Sequence, residues 1–91
     1  MSAIDPTYVR SRELLEAELG DELVALDVTD GLCFGFNEVA VSIWRRLAQP
    51  IALSDLIAGL TEEYDVVRDE CARDVEEALA TLVQHRLVKV I

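Results

Sequence analysis

At Asn37 the hydrophobic pattern of this chain changes period, and that change restricts the folds open to it. Before it, in ELVALDVTDGLCFGF (residues 22–36), Val24, Leu26 and Val28 alternate with Leu23, Ala25 and Asp27. A period of two marks a strand with one face buried. Asp30–Gly31 supplies a turn, because an Asp-Gly pair tolerates the positive φ angles of tight hairpins. A short aromatic strand follows from Leu32 to Phe36. Beyond Asn37, the residues Ala40, Ile43, Trp44 and Leu47 keep the i, i+3, i+4, i+7 spacing of one helical face. Asn37 suits the cap of that helix, since its side chain can accept from an early helical N–H.

The same logic places the remaining elements. Pro50 ends the first helix, expected over about 38–48. Ser54 is a candidate cap for a second helix over about 54–63, with Leu53, Leu56, Ile57, Leu60 and Tyr64 on one face. Asp65 is a candidate cap for a third over about 67–85, with Cys71, Val75, Ala78, Leu79 and Leu82 turned inward. Upstream, RELLEAEL (residues 12–19) has helix-forming residues, yet Gly20–Asp21 leads straight into a strand. It is therefore read as the first strand of a three-stranded meander, 12–19, 22–29 and 32–36. The tail LVKVI is expected to lie extended against the sheet, and residues 1–10 to form a flexible N-terminus before a single domain over 11–91. Elements this short are unstable alone, so the helices and one sheet face must share a core. The result is an α+β, winged helix-turn-helix-like fold: a three-stranded antiparallel sheet followed by three helices.

Composition excludes several functions. Ninety-one residues make one domain with a modest core. The net charge of −10, from 18 acids against 8 bases, repels phosphate backbones, so no nucleic-acid partner is expected. Only Arg45–Arg46 forms a local basic pair. No apolar run approaches the roughly 20 residues of a membrane span, and the first residues lack a secretory pattern, which points to the cytoplasm. Cys33, Cys71 and the single histidine, His85, are too few for a zinc site, and the cysteines read as buried apolar thiols. No cofactor is implied.

Catalysis has little to stand on. His85 reads as a surface or capping residue near a helix end, and Ser42 and Ser54 have no neighbouring histidine. The four glycines are scattered rather than gathered into a phosphate loop. Small acidic carrier proteins bear an Asp-Ser-Leu motif, but Leu53-Ser54-Asp55-Leu56 has the reverse order. An acidic winged-helix module that binds protein remains open. In a sheet ordered 1-2-3, the strand Leu32–Phe36 is an edge with unpaired backbone groups and no Lys or Pro to blunt it. An extended peptide can add there as a further strand, and so can a second copy of the chain, making a strand-mediated dimer.

The stretch Gly35-Phe36-Asn37-Glu38-Val39-Ala40-Val41-Ser42-Ile43-Trp44 resembles the signature of the PqqD family. Leu53 to Leu60, Glu63-Tyr64-Asp65-Val66, Asp74-Val75, Leu79, Leu82 and Leu87-Val88 follow in the family's order. Two positions depart: Ala40 and Arg86 stand where glycine is common. The resemblance covers about residues 20–90 and implies a recognition element of ribosomally made, modified peptides, without catalysis of its own. It implies a leader peptide docked on Leu32, Cys33, Phe34, Gly35 and Phe36. The facing third helix would contribute some of Arg68, Asp69, Ala72, Arg73, Val75, Glu76 and Leu79. Asp69 and Glu76 are either selectors of basic leader residues or plain solvated acids. The sequence around Tyr64 to Val75 looks most like the stand-alone leader-binding proteins of lasso-peptide pathways, which implies a leader peptidase as partner. A pyrroloquinoline-quinone or other radical-enzyme pathway is the alternative.

Overall fold

A computed structural model describes residues 5–91. Two small antiparallel sheets bracket three helices. The first sheet holds β2 (Leu15–Leu19), β3 (Glu22–Asp27) and β4 (Leu32–Phe36) in the order β2-β3-β4. The helices are α1 (Glu38–Arg46), α2 (Leu53–Tyr64) and α3 (Arg68–Gln84). The meander and the three helices thus stand where the change of period put them.

The second sheet was not foreseen. Thr7–Arg10 forms β1, which lies between β5 (Ile51–Ala52) and β6 (Val88–Val90) in the order β5-β1-β6. Residues 7–10 are therefore a strand rather than part of a flexible terminus, and residues 1–4 of that expectation lie outside the described residues. The tail does end extended, but on β1, with Tyr8 opposite Val90 and Arg10 opposite Val88. A two-residue strand after a proline carries no periodicity, which is why β5 left no trace in the pattern. Arg10 anchors this sheet to α1: its guanidinium donates to the Trp44 carbonyl at 3.0 and 2.7 Å and lies 4.2 Å from the indole centroid.

Leu23, Ala25 and Phe36 from the sheet meet Ile43, Trp44 and Leu47 of α1, Leu56 and Leu60 of α2, and Val75 and Leu79 of α3 in one core. Asp27 is the buried exception, at 4% exposure. Its carboxylate pairs with Arg12 and accepts from the Thr29 and Asp30 amides at 3.1 and 3.4 Å. These bonds shape a four-residue connection, Val28 to Gly31, in place of the two-residue turn expected at Asp30–Gly31. Gly31 takes the positive φ of 68° that closes it.

Helix ends also differ from expectation. Asn37 does cap α1, accepting from the Ala40 amide at 2.9 Å. Ser54, however, lies inside the first turn of α2. The Asp5 carboxylate does the capping, accepting from the Ser54 amide at 3.0 Å and its hydroxyl at 2.7 Å. Asp65 ends α2 in the left-handed conformation rather than starting α3. At the far end of α3, the Arg86 amide donates to Val83 and the Leu87 amide to Leu82, both at 2.9 Å. This paired closure requires a left-handed residue just past the cap, and Arg86 supplies it at φ 61°. The departure at Arg86 noted above therefore falls on a turn residue just past the end of α3.

Candidate peptide-binding site

β4 pairs with β3 alone, so its second edge is free among the described residues. On a free edge, alternate residues turn both N–H and C=O outward with nothing to satisfy them. Beside that edge runs a cleft of about 360 Å³ between β4 and the C-terminal half of α3. Its floor is apolar: Phe36, Ile43, Leu82 and Leu87 are all buried. Its sides are Phe34, Ala40, Ala78, Thr81 and His85. The small side chains of Ala40 and Ala78 keep it open.

Two aromatic contacts fix the sheet side of the cleft. Phe34 meets His85 edge to face with ring centroids 5.3 Å apart, and Phe36 leans on Trp44 at 5.6 Å. The Trp44 indole N–H donates to Glu16 at 3.0 Å, so the ring cannot rotate away. His85 is held at the C-cap of α3, where its backbone N–H donates to the Thr81 carbonyl at 3.1 Å.

The residues expected on the strand and those expected on α3 fall differently around this cleft. Cys33, Phe34, Gly35 and Phe36 line it, while Leu32 lies exposed at the strand's start. Cys33 is an exposed thiol on the opposite sheet face from Phe34, not a buried one; Cys71 is buried. None of the seven expected α3 residues lines the cleft. Val75 and Leu79 are core residues, Ala72 is half-buried against the core, and Arg68, Asp69, Arg73 and Glu76 are exposed. At about 1.5 Å per residue, the 17 residues of α3 are longer than β4 is wide. Its N-terminal half packs on α2, where the Cys71 thiol lies 3.9 Å from the Ile57 carbonyl, and only the later turns pass β4. Ala78, Thr81, Leu82 and His85 share a helical stripe, and that spacing was the available signal. The partner of that stripe could not be read from periodicity.

The outward face of the first sheet is also apolar. The register aligns Leu15 with Leu26, Ala17 with Val24, Leu26 with Cys33 and Val24 with Gly35, with only Glu22 as a charge at one corner. Leu15 and Leu19 are 63% and 62% exposed, so nothing among the described residues covers them.

The profile of the family described as coenzyme PQQ synthesis protein D (PqqD) matches residues 22–88. Among solved structures, TbiB1 in complex with the TbiA(beta) leader peptide is similar, with a TM-score of 0.77 and 27% identity. The alignment covers 89% of this chain and 94% of that one. Comparison with the curated proteins gave no match.

Proposed function

The chain belongs to the PqqD family, and we propose that it is a non-catalytic adaptor for the leader segment of a ribosomally made precursor peptide. One observation carries the reading: a free strand edge lies directly beside an apolar cleft. The leader adds to β4 as a fourth strand and sets an apolar side chain into the cleft, between Phe34 and the stripe Ala78, Thr81, Leu82 and His85. About four to six backbone hydrogen bonds at roughly 0.5–1.5 kcal/mol each, with one or two buried side chains, act against the cost of ordering the peptide. The leader-bound relative supports the assignment.

The adaptor then presents the peptide, in the cytoplasm, to a processing enzyme, and a leader peptidase of the lasso-peptide kind fits best. The exposed outward sheet face supports a protein partner, because an uncovered apolar sheet of this extent is costly in water. It adjoins β4, so a docked leader widens it by one strand. The description of the family favours a second reading, a peptide chaperone for a quinone-cofactor pathway. Without a peptide, two β4 edges can pair in a dimer.

The test is an NMR titration of the labelled chain with the leader of the precursor encoded beside it. Amide shifts on Leu32–Phe36 and on Ala78 to His85 support the reading. A saturating titration with no shift there sinks it.

A further inference from the structure

We propose that the far end of the cleft is a subsite for a basic side chain of the docked peptide, selected by Asp74 and Glu77; this rests on the leader-binding reading. The cleft does not end at Ala78. It continues along α3, toward the N-terminus of that helix, into a second hollow of about 330 Å³. The two share Ala40, Ile43 and Ala78, and the second is completed by Asn37, Val39, Asp74 and Glu77. One groove thus has an apolar end and an acidic end.

The two acids are unspent. Side chains three residues apart on a helix are neighbours, so the carboxylates stand together at the groove wall. Both residues are exposed. Among the described residues neither joins an ion pair, whereas Arg10, Arg12, Arg45 and Arg46 are each taken by other carboxylates. Arg73, one turn before Glu77, forms no ion pair with it. The opposing field is the N-terminus of α1, about half an elementary charge. The Asn37 side chain and Glu38 already answer it. Two full negative charges outweigh what is left, and the net charge of −10 attracts a basic peptide from further away.

Strand geometry adds a constraint. Side chains of an added strand alternate between faces, so residues that enter the same groove are an even number apart. The recognised pattern is therefore an apolar residue with Lys or Arg two or four positions away.

A displayed library of random dodecapeptides, selected on the full 91-residue chain and on Asp74→Asn/Glu77→Gln, tests this. The native chain should enrich Lys or Arg at an even spacing from an aromatic or aliphatic residue. The variant should keep the apolar preference and lose the basic one. A selected synthetic peptide should bind the variant about three- to tenfold more weakly by fluorescence anisotropy, with the gap closing as salt rises. Its Lys→Gln version should bind both proteins alike. Apolar selection without a basic preference, or a basic preference that survives in the variant, overturns the subsite and leaves the adaptor reading standing. Selected peptides that bind without shifting the β4 amides overturn both.

Discussion

Phe34 is half-buried on the inner sheet face, where it separates the free edge from His85, so truncating it removes one wall of the cleft. Phe34→Ala should weaken leader binding by about 2 kcal/mol, roughly thirtyfold, in a protein whose circular dichroism is unchanged. An unchanged affinity in a folded variant would remove Phe34 from the site. Asp27 is a different kind of residue. It satisfies two backbone amides and Arg12 from a buried position, so Asp27→Ala leaves all three without their partner. The cost should be about 2–3 kcal/mol in urea unfolding, and Asp27→Asn should recover part of it. Arg86 tests the opposite sign. An arginine at φ 61° is strained, and Arg86→Gly should raise stability by about 0.5–1 kcal/mol, despite glycine's larger unfolded-state entropy. At this scale the sequence was legible where a side chain has a local partner, as Asn37 does with Ala40. It was silent where the partner is distant: Asp5 with Ser54, Arg10 with Trp44, and Phe34 with His85.

Carboxylates hold α2 at both ends, which ties it to pH. Asp5 caps its start, and hydrogen bonds from the Ser54 hydroxyl and amide keep its pKa below the ordinary value of 3.8. Glu63, in the last turn, accepts from the Ser42 hydroxyl at 2.6 Å and from Arg46 at 2.9 Å. The Ser42 bond first, and then Arg46, hold its pKa below 4.5. A carboxylate depressed in the folded state contributes stability that is complete above its ordinary pKa and is lost as pH falls through the folded value. The stability of the native chain should therefore decline more steeply below about pH 4.5 than that of Glu63→Gln, as read from urea midpoints at pH 3, 4 and 6. The extents of α1, α2 and α3 were close to readable because each has an apolar stripe of its own. The facing of α3 was not, because that stripe is shared out between α2 and β4 along its length. β1 and β6 hold each other and show no alternation strong enough to announce a sheet.

At the scale of the whole molecule, two apolar surfaces stand on either side of one strand: the cleft behind β4 and the open sheet face in front. They should separate genetically. If the proposed leader peptidase docks on the front, Leu26→Glu should leave leader affinity within about twofold and abolish stimulation of that enzyme. Equal loss of both would mean that the front face shapes the edge itself. The fold class was legible because a single change of period divides the chain into sheet and helices. The continuous apolar face on the front of that sheet was not, since Leu15, Leu26 and Cys33 look like any other alternating residues until the register lines them up. The free edge of β4 carries a consequence for the range of products such a protein can serve. A ladder of main-chain hydrogen bonds does not distinguish one side chain from another, so most positions of a docked peptide are free to drift. In the proposed docking, only the few residues that enter the groove are selected by side-chain contacts. New product sequences can then arise downstream while the docking code stays fixed.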